Sequence, residues 1–187
     1  VGFKWAAVLE RYINVKKKGI VVSFPGGRGS EIPLLYFGAK HFEDMGYEKV
    51  FINHPMSGEC PLDILLDNAL KVLDDVDWTE YEHVVFIAKS IGTLVACKVK
   101  EQLCIPASVI LFTPIEDTMN YITNENDVLL VAMGDRDRYI SSSLAEKHCT
   151  EHNVKCHIEP EVGHRMEVMN DLQRNLEIVK HVIGKLD

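Results

Sequence analysis

The feature that most constrains the fold of this chain is a regular alternation between short β-branched runs and longer segments with helical periodicity. Such alternation is typical of parallel strands joined by right-handed crossovers, with helices covering both faces of the sheet. We therefore predict an α/β fold, a three-layer sandwich with a mostly parallel sheet of about six strands. The runs that predict strands are 19–24, 49–53, 83–88, 108–112, 128–133 and 155–159.

Apolar residues spaced three and four apart predict the helices between these strands. The predicted segments are 33–45, 61–76, 90–103, 143–149 and 169–186. Ser143 and Glu146 have the spacing of a capping box, so the fourth helix is expected to begin at Ser143. In the last helix, an apolar stripe is expected to run from Met169 to Leu186.

The chain has 187 residues, near the usual size of one domain, so we expect residues 1–187 to form a single domain. The first 18 residues are interpreted as an N-terminal extension that forms either a strand or a short amphipathic helix followed by a turn, and the basic run at 16–18 is interpreted as a solvated turn. We find no internal repeat and no low-complexity tract.

The composition of the chain limits the kinds of molecule that it is expected to bind. The formal net charge is −8 and the pI is near 5.5, which disfavours binding to nucleic acids or to anionic membranes. No apolar run approaches the roughly 18 residues of a membrane span, and the first residues lack the pattern of a signal peptide. The five cysteines show no CxxC pair and no zinc-ligand spacing. We therefore expect a cytoplasmic protein with reduced thiols and no metal site; the sequence does not indicate an oligomeric state.

A candidate nucleophile follows the third predicted strand. Residues 88–92 (AKSIG) have the small-x-Ser-x-Gly form of a nucleophile elbow, with Ser90 between a buried strand and a helix. Small residues two before and two after the serine allow the strand and the helix to approach each other. A serine at a helix N-terminus also has backbone N–H groups nearby that favour developing negative charge. The alternative is that Ser90 only caps its helix.

Candidate partners for Ser90 follow two other predicted strands. Asp135 and Asp137 come directly after 128–133, and His164 follows the last strand. A nucleophilic serine needs an imidazole to accept its proton and a carboxylate to orient that imidazole. Because the carboxyl ends of parallel strands share one edge of the sheet, these groups are expected to converge there. Asp117 remains an alternative acid, and His54 is interpreted as a loop residue.

From Gly19 to its end, the chain resembles a compact member of the α/β-hydrolase superfamily. In that superfamily the acid commonly stands in a G-x-x-D-x-x-[VI] context, which residues 134–140 match and which selects Asp137 over Asp135. The resemblance implies a Ser90, His164 and Asp137 catalytic triad. It further implies that the glycine-rich loop 25–30 (PGGRGS) supplies one oxyanion N–H, from Gly27 or else Arg28, and that Ile91 supplies the other. A phosphate-binding role for this loop is disfavoured, because it contains neither GxGxxG nor GK[ST].

The activity implied by the resemblance is that of a carboxylesterase or thioesterase acting on a small-molecule acyl substrate, with no cofactor and no metal. The superfamily often inserts a lid where this chain has only residues 113–127, so we expect a lidless, open pocket for a small or exposed acyl group. Two alternatives stay open: a non-catalytic binding or signalling module with this fold, and an acyltransferase.

The chain departs from the superfamily in two ways: the first two strands of the usual sheet are missing or reduced to the first 18 residues, and a lysine precedes the serine. We expect the stem of Lys89 to pack beside the elbow with its ammonium in water; an ammonium in the pocket would instead favour an anionic substrate. Arg28 and Arg165 invite the idea that the site recognises a carboxylate or phosphate, but the sequence alone favours solvated side chains or pairs with nearby glutamates. Those glutamates are Glu31, Glu161 and Glu167.

Overall fold

The computed structural model describes residues 16–27, 32–53 and 60–186. These residues form a six-stranded sheet with the order β2-β1-β3-β4-β5-β6, in which every pairing is parallel. The predicted α/β class and parallel sheet are confirmed. The strands are β1 (Lys17–Phe24), β2 (Glu48–Phe51), β3 (Tyr81–Lys89), β4 (Ala107–Phe112), β5 (Val128–Gly134) and β6 (Cys156–Glu159).

Helices cover both faces of the sheet, as predicted. Helices α1 and α5 pack on one face, where Val21 and Ile87 belong to the same apolar cluster as Leu35 and Ile178. Helices α2, α3 and α4 pack on the other face. Because both faces are covered, the central strands are continuous apolar runs rather than alternating ones. The helices are α1 (Pro33–Asp44), α2 (Leu62–Leu73), α3 (Ile91–Leu103), α4 (Ser142–Glu151) and α5 (Leu172–Ile183).

The strand order places the residues that follow the strands at one edge of the sheet. The chain runs outward from β1 to β2, and then crosses back so that β3 lies on the other side of β1. A crevice forms beyond the carboxyl ends of two strands where the winding reverses in this way. The loop after β1 and the turn after β3 meet at this crevice, and the loops after β5 and β6 lie along the same edge.

The first strand begins earlier than predicted. Lys17 and Lys18 belong to β1, so the prediction of a turn at these residues is wrong. Lys17 is paired with Tyr81 of β3, and its ammonium lies 3.1 Å from carboxylate oxygens of both Glu48 and Glu80. These contacts hold Lys17 in the sheet, so β1 begins at this exposed residue. Residues 1–15 lie outside the described residues, so the strand or helix predicted there and the single-domain organisation stay predictions.

Two predicted helix starts are wrong. Helix α4 begins at Ser142 with Ser141 as its N-cap, so Ser143 is inside the first turn and forms no capping box. Helix α5 begins at Leu172, because the carboxylate of Asp171 accepts a hydrogen bond from the backbone N–H of Arg174 at 2.9 Å. Met169 therefore lies before the helix with 82% of its surface exposed, and the predicted apolar stripe starts later.

Among the described residues, no helix combines the length and the apolar character that a membrane span requires.

Candidate active site

Ser90 lies in a strained turn between β3 and α3. Its φ of 55° and ψ of −129° are unusual for a residue with a side chain, and such a conformation costs about 1–3 kcal/mol. Backbone hydrogen bonds on both sides hold it: the Ser90 N–H donates to the carbonyl of Phe112 at 3.0 Å, and the Thr93 N–H donates to the carbonyl of Ser90 at 2.9 Å. The turn thus projects the hydroxyl away from the sheet, at the N-terminus of α3.

Gly92 allows α3 to pack directly against the end of β1. A Cβ atom at this position would lie 2.4 Å from the carbonyl oxygen of Pro25 and 2.5 Å from that of Phe24. Only a glycine fits so close to backbone atoms. Ala88, the other small residue of the elbow, is fully buried. The small-x-Ser-x-Gly pattern therefore has a packing cause in this structure.

The loops after β5 and β6 are joined by direct backbone contacts. The N–H of Arg136 donates to the carbonyl of Val162 at 3.0 Å, and the N–H of Asp135 donates to the carbonyl of Glu159 at 3.0 Å. Gly134 makes the approach possible, because a Cβ there would lie 2.0 Å from the Val162 oxygen. These contacts bring the segment that contains His164 alongside the turn that contains Asp137.

The side chains of Ser90, His164 and Asp137 form one chain of hydrogen bonds. His164 Nε2 lies 2.7 Å from Ser90 Oγ, and His164 Nδ1 lies 2.8 Å from Asp137 Oδ2. The Asp137 side chain is fully buried, and its Oδ1 accepts a hydrogen bond from the backbone N–H of Tyr139 at 2.9 Å. Asp135 and Asp117 are both exposed, and within the described residues neither contacts His164. The structure thus brings the three predicted residues together; their catalytic roles stay a prediction.

Two of the predicted oxyanion-hole residues border this arrangement. The loop after β1 passes beside the serine, since a Cβ at Gly26 would lie 3.0 Å from Ser90 Cβ and 3.7 Å from Ser90 Oγ. The N–H of Gly27 makes no hydrogen bond within the described part of the chain. As the first residue of α3, Ile91 has an N–H that no carbonyl within the helix can accept. Arg28 and His54 lie outside the described residues.

Comparisons with known proteins agree with this architecture. No protein-family model matches the sequence, and no curated protein matches it. An α/β serine hydrolase homologue from Coxiella burnetii matches with a TM-score of 0.68 and 15% identity, over 92% of this chain and 86% of its own. The chain has the α/β-hydrolase fold.

Two further α/β-hydrolase-fold structures match to a similar extent. An α/β serine hydrolase without a lid from Xanthomonas campestris has a TM-score of 0.65 and 15% identity, over 92% of this chain and 80% of its own. Mouse α/β-hydrolase domain-containing protein 10 has a TM-score of 0.59 and 15% identity, over 92% of this chain and 93% of its own. At this identity the likeness establishes the fold, and the predicted resemblance is confirmed at that level.

Within this α/β-hydrolase fold, the position of Lys89 differs from the prediction. Its ammonium is not in water: the residue is only 4% exposed, and Nζ donates to Thr113 Oγ1 and to the backbone carbonyl of His164, both at 2.8 Å. The turn that contains Ser90 and the loop that contains His164 lie so close together that the side chain of Lys89 reaches from one to the other. Lys89, which directly precedes the serine, thus binds the backbone of His164. No sequence pattern indicates Thr113 as its partner, except that Thr113 also follows a strand.

In this α/β-hydrolase fold, a buried glutamate stabilises the end of β6, just before the loop that contains His164. Glu159 ends β6, its side chain is 1% exposed, and its oxygens contact Arg174 at 2.7 Å, His157 at 2.8 Å and His181 at 3.4 Å. Burial by itself raises the pKa of Glu159, but hydrogen bonds from the two histidines and the arginine outweigh burial and lower that pKa below its ordinary value. The ionised glutamate therefore holds α5 against the end of β6.

A cavity of about 720 Å³ opens beside the serine of this α/β-hydrolase fold. Tyr139 forms part of its wall and packs its ring 4.4 Å from the imidazole of His164. Sequence reasoning missed this contact, although Tyr139 lies inside the motif that selected Asp137.

Among the described residues, no group of three or more His, Cys, Asp or Glu side chains could hold a metal ion. Besides glycines and Ser90, the lining includes Ile32, Pro33, Lys89, Arg136, Arg138, Arg165 and Glu167.

Proposed function

We propose that this chain is a serine hydrolase that cleaves the carboxylic ester or thioester bond of a small or exposed acyl group. One observation carries the proposal: an unbroken set of hydrogen bonds runs from the Ser90 hydroxyl through both nitrogens of His164 to the buried carboxylate of Asp137. Among the solved structures with this fold, one is named a serine hydrolase and another a serine hydrolase homologue, which supports the same class of reaction.

Acylation begins with attack of Ser90 Oγ on the substrate carbonyl carbon. As the O–C bond forms, the hydroxyl proton passes to His164 Nε2, which already lies 2.7 Å from Oγ. Asp137 holds the proton on Nδ1 and stabilises the imidazolium. The backbone N–H groups of Ile91 and Gly27 are suited to bind the oxyanion, and the N-terminus of α3 adds a favourable dipole.

Collapse of the tetrahedral intermediate expels the alkoxide or thiolate, which takes the proton from His164 Nε2. A water molecule then attacks the acyl-enzyme while the imidazole accepts one of its protons, and the second collapse releases the carboxylic acid and returns the proton to Ser90 Oγ. The strained backbone of Ser90 keeps the hydroxyl in the attacking position through both steps, so little reorganisation is needed.

The surroundings of the cavity support a small or exposed acyl group. Between β4 and β5 the chain forms only two short 3-10 helices, Glu116–Tyr121 and Asn124–Asn126. The first of these packs against α3, where the hydroxyls of Thr118 and Thr93 lie 2.8 Å apart. This connection therefore builds no lid over Ser90.

A fluorophosphonate probe tests the proposal without knowledge of the substrate, because it phosphonylates only an activated serine. We expect stoichiometric labelling of the wild-type protein and none of Ser90→Ala. Ser143→Ala is the matched control: it removes an exposed hydroxyl in α4, so labelling should equal wild type.

Turnover is measured on p-nitrophenyl esters of graded chain length, with acyl-CoA thioesters alongside. We expect hydrolysis of short esters, and a loss in kcat of roughly 10⁴-fold or more for Ser90→Ala and for His164→Ala, because neither residue works without the other. Thermal unfolding of each variant checks that it is folded. The proposal is contradicted if folded wild type and Ser90→Ala are indistinguishable on every substrate and with the probe.

A further inference from the structure

The cavity beside Ser90 has a charge opposite to that of the protein as a whole. The chain has a formal net charge of −8, but four cationic side chains and only one carboxylate, that of Glu167, line the described cavity. A cleft lined mainly by one sign of charge concentrates ligands of the opposite sign. The four cationic residues are Lys89, Arg136, Arg138 and Arg165.

Two of these cations already have partners in the protein. The ammonium of Lys89 donates to Thr113 and to the carbonyl of His164, and Arg136 lies 3.5 Å from the carboxylate of Glu161. Their hydrogen-bonding capacity is therefore partly used in holding the walls of the cavity.

The other two cations, Arg138 and Arg165, have no carboxylate partner within 16–27, 32–53 and 60–186. Arg138 directly follows Asp137, and Arg165 directly follows His164, so both leave the backbone beside a residue of the proposed triad. Both are exposed and contribute to the wall of the cavity. An exposed guanidinium with its donors available is the group best suited to bind a carboxylate or a phosphate.

Arg138 is also held in place. Its guanidinium carbon lies 4.9 Å from the centre of the Tyr139 ring, and its Nη2 donates to the Tyr139 hydroxyl at 2.9 Å. The centre of the Tyr139 ring also lies 4.4 Å from the centre of the His164 imidazole. A guanidinium fixed one ring away from the proposed base loses less rotamer freedom when it binds a ligand than a free one does.

We propose that the substrate of this site is an anionic ester or thioester, whose carboxylate or phosphate group binds Arg138 and Arg165 while its scissile carbonyl faces Ser90. This inference rests on the proposed function. A neutral ester gains nothing from the two guanidiniums, whereas each exposed ion pair contributes about a two- to fivefold gain in binding. Together they predict about a tenfold preference for the anionic substrate.

Two pairs of substrates separate charge from reactivity. Mono-4-nitrophenyl suberate and methyl 4-nitrophenyl suberate share a leaving group and differ by one carboxylate on the acyl side, which is too far from the ester to attack it. S-acetyl-4′-phosphopantetheine and S-acetylpantetheine share the same thioester and differ by one phosphate on the leaving-group side. In at least one pair we expect kcat/KM to be about tenfold higher for the anionic member at 20 mM salt, falling to about twofold at 0.5 M NaCl.

Variants assign the preference to residues. In Arg138→Gln/Arg165→Gln the ratio of anionic to neutral kcat/KM should fall to about one to two, mainly through the KM of the anionic member. Arg136→Gln removes one charge from the same cavity but at a paired residue, so it should retain most of the ratio. Equal losses in Arg136→Gln and the double variant would overturn the assignment to Arg138 and Arg165.

The test distinguishes this inference from the proposed function. Ratios near one in both pairs, with hydrolysis of the neutral members that depends on Ser90, would overturn the anionic substrate and leave the hydrolase standing. Absence of Ser90-dependent hydrolysis of all four substrates, together with absence of fluorophosphonate labelling, would overturn the hydrolase itself.

Discussion

Replacing Gly92 with alanine perturbs the packing that positions the proposed nucleophile. The new Cβ would lie 2.4 Å from the carbonyl oxygen of Pro25 and 2.5 Å from that of Phe24, whereas real Cβ contacts are essentially never shorter than 3.0 Å. Both obstructing atoms are backbone, so no side chain can rotate away. The start of α3 and the end of β1 must therefore separate by at least about 0.6 Å, and Ser90 moves with the helix.

The expected cost is the difference between two effects. Overpacking that shifts backbone costs about 1–3 kcal/mol, while alanine in place of glycine in a helix regains up to about 1 kcal/mol. We expect a net loss of about 1–2 kcal/mol in the free energy of unfolding. With a urea slope of about 2–3 kcal/mol/M, the midpoint of urea unfolding falls by roughly 0.3–1 M. A displacement of the serine by a fraction of an ångström also lowers kcat/KM, by about 10- to 100-fold.

Urea unfolding followed by circular dichroism, with ester hydrolysis on the same preparations, measures both effects. Gly38→Ala is the matched control: it makes the same substitution in α1 on the opposite face, where the nearest atom is the flexible Ile87 Cδ1 at 3.3 Å. Its midpoint should equal or exceed that of wild type, with hydrolysis unchanged. A Gly92→Ala protein as stable and as active as wild type would refute the reasoning.

Two further predictions follow from the site and its support. Asp137→Asn should lower kcat about 10³- to 10⁴-fold with circular dichroism unchanged, because an amide cannot stabilise the imidazolium; ester turnover within tenfold of wild type would exclude this role. For Glu159, the lowered pKa means that its ionised form adds stability above its ordinary pKa, near 4.5, and that this stability is lost as pH falls through the lower folded-state value. Glu159→Gln should therefore be less stable than wild type by about 1–3 kcal/mol at pH 7 in urea unfolding, and a difference that does not shrink below about pH 4 would contradict the assignment.

Several features of the site could be predicted because they depend on local pattern. A strand is recognised by its β-branched run, and the residue after it must lie at the carboxyl edge of a parallel sheet. That rule selected Ser90 and His164, and the motif at 134–140 selected Asp137 over Asp135. The structure agrees in placing these three side chains in contact and in leaving Asp135 exposed.

Other features could not be predicted because they depend on small energy differences or on long side chains. Ser141, Ser142 and Ser143 are all acceptable near a helix start, and the choice among them changes the energy by about 1 kcal/mol or less. A lysine stem reaches several ångströms in any direction, so the burial of Lys89 depended on how closely two distant loops approach. The contact of Tyr139 with His164 depended on the same approach.

Periodicity and the chemistry of strand ends suffice to predict the fold class of this chain and to bring Ser90, His164 and an acid after β5 to one edge of its sheet, because both are properties of neighbouring residues. The choice of Asp137 as that acid came from the resemblance to the superfamily. The distances within the site required the folded chain. Ser90 and His164 are 74 residues apart, and their 2.7 Å contact exists because Gly92 lets α3 touch β1 and Gly134 lets the loop after β5 touch Val162. Such close packing between segments remote in sequence has no local signature, and the left-handed backbone of Ser90 and the buried ammonium of Lys89 are its consequences.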